Sequence, residues 1–79
     1  MKLPRDVSGL ELANALKKFS YKISRQTGSH IRLTTEKDGK HSITIPKHAS
    51  LRIGTLSAIL NDIAQHLKIS KDELIRRLF

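Results

Sequence analysis

The sequence predicts a small α+β domain with a helix, three antiparallel strands, a second helix and a short third helix. Three observations lead to this prediction. Apolar residues recur at helical spacing near both ends of the chain, three short central segments alternate apolar and polar residues, and turn-forming residues separate those segments. A chain of 79 residues forms one domain with a thin core. We therefore expect a single domain over residues 1–79.

The first helix is predicted to follow a capping box at residues 8–11. The Ser8 hydroxyl can accept from the Glu11 amide, and the Glu11 carboxylate can accept from the Ser8 amide in return. Apolar side chains then recur at helical spacing, at Leu12, Leu16 and Phe19. We expect this helix to run from about Gly9 to Phe19.

Three short segments are predicted to form an antiparallel sheet, with turns at residues 27–29 and 36–40. Alternation gives each strand one apolar and one polar face. The apolar face should hold Tyr21, Ile23, Ile31, Leu33, Ile43 and Ile45. The polar face should hold Lys22, Ser24, His30, Arg32, Thr34, Ser42 and Thr44. Since the polar face has no large apolar side chain, helices should cover the other face only.

The second helix is predicted to open at Gly54-Thr55, after a basic loop that follows Pro46. Its apolar stripe consists of Leu56, Ile59, Leu60, Ile63 and Leu67. A second capping box, at residues 70–73, predicts the short last helix. The element order matches the two-layer sandwich of double-stranded-RNA-binding domains, a likeness of fold that implies no activity.

The composition points to a polyanionic partner. The chain has 15 Lys and Arg against 7 Asp and Glu, a formal charge of +8, and this charge on a small domain favours nucleic acid. The three aromatic residues are too few for a base-stacking platform. The lack of Cys fits a reducing cytosol. No segment has the apolar length of a membrane span or signal peptide, so we expect a complete, soluble, cytoplasmic protein.

His30 is the strongest candidate for chemistry, because it begins the second strand on the polar face. Gly28 can adopt a positive φ, and successive amides of such a turn can hold an anion. A phosphate held there would lie near His30, where the imidazole could take the proton of a 2′-hydroxyl and cations could stabilise the phosphorane. The candidate RNA- and phosphate-binding residues are Gly28, Ser29, Arg25, Arg32 and Lys22.

The other three histidines give weaker signals. His48 lies in the basic loop after Pro46 and is a possible secondary site residue. His41 is expected at the edge of the sheet on the apolar side, and His66 on the surface of the second helix. No two histidines stand at helical i, i+3 or i, i+4 spacing, so neither a metal nor another cofactor is expected. Phosphate contact without catalysis stays open, and it would make the chain an RNA-binding or partner-binding module.

Four motifs in order resemble the HicA toxin family. They are V-S-G-x-E-L from Val7, R-Q-x-G-S-H-I-R-L from Arg25, I-T-I-P-x-H from Ile43 and G-T-L-x-x-I-L from Gly54. The resemblance extends from about Pro4 to Leu67. Many relatives carry Gly where this chain has Ser20.

The resemblance implies a double-stranded-RNA-binding-like fold and a metal-independent RNA endonuclease, an mRNA interferase that blocks translation. The chain would be the toxin of a type II toxin–antitoxin system. His30 falls on the catalytic histidine of the family's G-S-H motif, Gly28 on its glycine and His48 on the histidine of P-x-H. A HicB-like antitoxin would bind the toxin and cover its active site. The free toxin is expected to be a monomer that forms a higher-order complex with the antitoxin.

Overall fold

The computed structural model describes residues 3–79 and has the predicted elements in the predicted order. The helices are α1 Gly9–Leu16, α2 Ile53–Leu67 and α3 Lys71–Leu78, and a 3₁₀ turn, Lys17–Phe19, continues α1. The strands are β1 Lys22–Gln26, β2 His30–Thr35 and β3 His41–Pro46. The α+β class and the double-stranded-RNA-binding-like arrangement are confirmed.

The sheet is antiparallel with the order β1-β2-β3, so β2 is central and both of its neighbours are edge strands. On one face, Ile31 pairs with Ile45 and Leu33 with Ile43. All four side chains are buried. They form one core with apolar residues of all three helices, which include Leu12, Leu16, Leu56, Leu60, Ile63, Leu74 and Leu78. No helix within residues 3–79 covers the other face of the sheet, whose side chains are exposed or half-buried, as the sequence predicts.

The start of α1 has the predicted capping box. Ser8 Oγ accepts from the Glu11 amide at 3.0 Å, and Glu11 Oε1 accepts from the Ser8 amide at 3.0 Å. The last predicted turn is tighter than an α-helix, because the chain passes into the 3₁₀ turn after Leu16. It then leaves through Ser20, whose φ of +67° is left-handed. This turn places Tyr21 in the core, where it is 1% exposed.

Gly9 fixes how α1 meets the chain after β3. A Cβ atom at Gly9 would lie 2.2 Å from the backbone oxygen of Pro46. The Gly9 amide donates to the His48 carbonyl at 3.0 Å, and the Leu51 amide donates to the Val7 carbonyl at 2.7 Å. The segment that carries His48 is therefore held against the N-terminal end of α1.

Two predicted details are wrong. Ile23 was expected in the core, but its side chain is 38% exposed; all residues of β1 are exposed, and the register of this strand with β2 shifts directly after Ile23. The second helix begins one residue earlier than predicted, at Ile53. None of the helices within residues 3–79 has the length and apolarity needed to cross a membrane.

The short last helix completes the core. Ser70 Oγ accepts from the Glu73 amide at 3.0 Å, which is one of the two hydrogen bonds of the predicted second capping box. The Glu73 carboxylate accepts from Arg77 Nε at 2.9 Å, one helical turn further on. Leu74, Ile75 and Leu78 of α3 are buried, so α3 shields apolar surface of the helical layer.

Candidate functional site

The turn before His30 is closed by the hydroxyl of Thr27. The amides of Ser29 and His30 donate to Thr27 Oγ1 at 3.3 and 3.1 Å, and the Thr27 amide donates to the His30 carbonyl at 2.9 Å. His30 follows as the first residue of β2, opposite Pro46 of β3. Its side chain is exposed on the outer face, the side of the sheet that the helices leave uncovered.

This hydrogen bonding changes the role that the sequence suggested for Gly28. Gly28 does not use the positive φ that glycine permits, since Gly39 alone has one among the glycines of residues 3–79. The amides of Ser29 and His30 already have an acceptor in Thr27, so the turn does not present them to an anion. A Cβ at Gly28 would meet no heavy atom within 4 Å. Gly28 thus leaves open space in front of the turn.

Ser29 orients the imidazole of His30. Its hydroxyl lies 3.0 Å from His30 Nδ1. When Ser29 accepts from Nδ1–H, the proton is held on Nδ1 and Nε2 carries the free lone pair. The arrangement therefore suits an imidazole that takes a proton through Nε2. Ser29 was predicted from the sequence to bind phosphate. In the structure its hydroxyl contacts the imidazole of His30.

Two arginines stand opposite each other on neighbouring strands of this surface. Arg25 of β1 is the cross-strand partner of Arg32 of β2, and both are exposed. Simple alternation would put Arg25 on the same face as Ile23, but the register shifts between these two residues, and this irregularity turns Arg25 to the outer face. Like charges directly opposite each other are destabilising, so the pair is suited to an anion that lies between them.

Lys22 and His48 lie at different edges of this region. Lys22 is the partner of Thr34 and is exposed on the outer face. The Lys47 amide donates to the Ser29 carbonyl at 2.8 Å, so the segment that contains His48 returns to the end of the sheet where His30 stands. The His48 side chain is exposed there.

A second polar cluster was missed by the sequence reasoning. Tyr21 Oη lies 2.7 Å from His41 Nδ1, and His41 Nε2 lies 3.1 Å from Asp62 Oδ1. His66, expected on the surface, is half-buried, stacks on His41 at 4.5 Å between ring centroids and lies 2.9 Å from the Lys37 carbonyl. The i, i+4 spacing of Asp62 and His66 could have indicated this cluster, because it places both side chains on one face of the second helix.

This cluster is on the helix side of the sheet and so does not join His30. His41 pairs with the buried Thr35, which faces the helical layer. Burial, and secondarily the charge of Asp62, raises the pKa of Tyr21 from its ordinary 10.0 to about 12. Over the described residues 3–79, no three His, Cys, Asp or Glu side chains are grouped to hold a metal ion.

Comparison with known protein families identifies a relationship over most of the chain. A family model described as the HicA toxin of bacterial toxin–antitoxin matches residues 9–65. This range contains α1, the whole sheet and most of α2, and with them His30, Ser29 and the two facing arginines. No curated protein and no solved structure matches the chain.

Proposed function

Because this chain belongs to the HicA toxin family of bacterial toxin–antitoxin systems, we propose that it is a ribonuclease with His30 as its catalytic residue. Family membership makes it the toxin of a pair and implies an antitoxin partner. In the proposal, the toxin cleaves messenger RNA in the cytoplasm and blocks translation until a HicB-like antitoxin binds and covers the site. Residues 1–79 act as one domain, and the free toxin is a monomer.

The observation that carries the proposal is the contact of Ser29 Oγ with His30 Nδ1, 3.0 Å apart on an open cationic face. Nε2 of His30 takes the proton of a ribose 2′-hydroxyl, and the 2′-oxygen then attacks the adjacent phosphorus. The new P–O2′ bond forms as the P–O5′ bond breaks, which leaves a 2′,3′-cyclic phosphate and a 5′-hydroxyl end. The nucleophile belongs to the RNA, so the chemistry requires no metal-bound water.

The remaining groups have supporting roles in this proposal. Arg25 and Arg32 face each other across β1 and β2 and stabilise the negative charge that grows on the phosphorane. Lys22 adds a cation on the same surface. Gly28 leaves room for the phosphate in front of the turn. His48, held at the same end of the sheet, is the candidate that gives a proton to the departing 5′-oxygen.

The deciding experiment compares RNA cleavage by the wild-type protein and His30→Ala in the presence of a chelator. The substitution should lower the cleavage rate by about 10² to 10⁴-fold, the usual contribution of a general base. The exposed position of His30 should leave the unfolding midpoint unchanged, which circular dichroism checks. His48→Ala should have a smaller effect.

Undiminished cleavage by His30→Ala would rule out this assignment. RNA binding by the wild-type protein with no cleavage at any pH would instead support a non-catalytic RNA-binding or partner-binding module. Expression in a bacterial host adds an independent readout, since only a catalytically competent toxin should arrest growth. Coexpression of its antitoxin should restore growth.

A further inference from the structure

An open depression of about 370 Å³ lies on the outer face of the sheet, on the side away from His30. Its lining residues are Ser24, Arg25, Arg32, Thr34, Glu36, Lys40 and Ser42. Three of these side chains are cationic and one is a carboxylate. The depression is therefore suited to a negatively charged ligand.

Three hydroxyl groups form a row across the three strands here. Thr34 Oγ1 of β2 lies 3.0 Å from Ser24 Oγ of β1 and 3.0 Å from Ser42 Oγ of β3. Ser24 Oγ also donates to the Arg32 carbonyl at 3.3 Å. Each hydroxyl has one proton. When Ser24 donates to that carbonyl, Thr34 must donate to Ser24 and Ser42 to Thr34, so all three protons are used within the row.

The direction of hydrogen-bond donation along the row can reverse without moving a heavy atom. If Ser24 donates to Thr34 and Thr34 donates to Ser42, the Ser42 proton is released for a ligand. The reversal gives up only the bond from Ser24 to the Arg32 carbonyl, which at 3.3 Å is the longest of the set. A ligand with acceptors and no donors gains most from this. A phosphodiester has that hydrogen-bonding character, and its charge suits the surrounding cations.

We infer that this depression binds a second backbone phosphate of the same RNA strand, a subsite that rests on the proposed ribonuclease function. His30, Arg32 and Thr34 lie on one face of β2, and the four residue steps from His30 to Thr34 span about 13 Å. The RNA then runs along β2 from His30 towards the turn that carries Lys40. Arg25 and Arg32 lie between the two phosphates and serve both. Glu36 opposes the second phosphate and limits its affinity.

The test uses protein with His30→Ala, so that a short oligoribonucleotide is bound but not cut, and measures affinity by fluorescence anisotropy at several salt concentrations. Adding Lys40→Ala should weaken binding about two- to fivefold. It should also reduce the slope of log affinity against log salt by about 0.7, the contribution of one phosphate contact on a single strand. Lys18→Ala is the matched control, because Lys18 is an exposed cation beside α1 in the helical layer.

Glu36→Gln should change the affinity for RNA in the direction opposite to Lys40→Ala. Partial unfolding could not produce a gain in affinity. Removing its charge from the depression should strengthen binding about two- to fivefold, while Asp72→Asn on α3 should not. Replacing the phosphate that occupies the depression by a neutral methylphosphonate should remove the difference in affinity between the proteins with and without Lys40→Ala. Equal effects of Lys40→Ala and Lys18→Ala, or unchanged affinity for Glu36→Gln, would overturn the subsite.

Cleavage by the wild-type protein separates the two proposals. If it cleaves RNA while the Lys40 and Glu36 variants bind like their controls, the subsite is wrong and the ribonuclease stands. If those variants change affinity as expected but the wild-type protein never cleaves, the phosphate site stands and the catalytic role of His30 is wrong.

Discussion

Ser20 is one of four non-glycine residues within residues 3–79 that have a positive φ. It links the 3₁₀ turn to β1 with φ +67° and ψ +21°, a left-handed conformation that a Cβ atom disfavours. The geometry is imposed by the elements on both sides, because Phe19 and Tyr21 are both buried. Glycine adopts this conformation without the steric cost.

We expect Ser20→Gly to raise the free energy of unfolding by about 0.5 to 1 kcal/mol, the relief of left-handed strain less the added entropy of the unfolded chain. Urea denaturation followed by circular dichroism measures the change. Ser50→Gly is the control, because Ser50 does not have a positive φ and its hydroxyl donates to Asp6 Oδ1 at 3.4 Å. That variant should lose stability. Destabilisation by Ser20→Gly would contradict the account.

The candidate catalytic residue could be chosen from sequence, but its surroundings could not. Alternation alone placed His30 on the polar face. The conformation of Gly28 depends on which group accepts hydrogen bonds from the neighbouring amides. In this turn the Thr27 hydroxyl accepts from the amides of Ser29 and His30. The contact of Tyr21 with His41 joins residues 20 positions apart. Such a pairing follows from register and packing, which a single sequence does not contain.

At the scale of the elements, β1 shows where alternation fails as a guide. Strand pattern reasoning assumes that each residue changes face. The register shift between Ile23 and Arg25 breaks this rule, and Arg25 comes to face Arg32. Ile23 lies directly before this shift and is exposed. The paired region of β2 and β3 has no such shift, and there the predicted apolar and polar faces are both correct.

The contact of α1 with the chain after β3 predicts a cost for any side chain at Gly9. Gly9→Ala would place a Cβ 2.2 Å from the Pro46 oxygen, and we expect a loss of about 1 to 3 kcal/mol from this overpacking. Thermal or urea unfolding measures it. Cleavage should also fall if His48 takes part, since the displaced segment carries it.

Gly54→Ala provides the matched control for Gly9→Ala. Gly54 is the second residue of α2, and a Cβ there meets nothing within 4 Å. Alanine has the higher helix propensity, so this variant should be neutral or more stable by up to about 1 kcal/mol. Equal destabilisation of both variants would show that the contact with Pro46 is not the cause.

At the scale of the whole molecule, Tyr21 links the sheet to the helical layer through His41 and Asp62. The folded pKa of Tyr21 is raised to about 12 from 10.0, so folding favours the neutral phenol. This contribution is complete below pH 10 and is lost as the pH rises from 10 to 12, because the unfolded state releases the proton first. Its full size is about 2 to 3 kcal/mol.

We therefore expect the urea midpoint to fall between pH 10 and 12 more steeply for the wild-type protein than for Tyr21→Phe, which cannot ionise. Both proteins contain the same lysines, which titrate in the same pH range, so the difference between their urea midpoints excludes the lysine contribution. Tyr21 is the sole tyrosine and the chain has no tryptophan, so phenolate absorbance reports its titration directly. A midpoint near 10 in the folded protein would contradict the assigned burial effect.

The irregular pairing of β1 also affects how readily the edge of the sheet can pair with a strand from another molecule. An open sheet of three strands has two edges, and an edge with regular, unpaired backbone groups invites a strand from another molecule. On β1, the shift between Ile23 and Arg25 interrupts that regular edge, and Lys22 and Arg25 add charge. On β3, Pro46 ends the strand without an amide proton. Both edges thus disfavour edge-to-edge aggregation during the time that a toxin is free of its antitoxin.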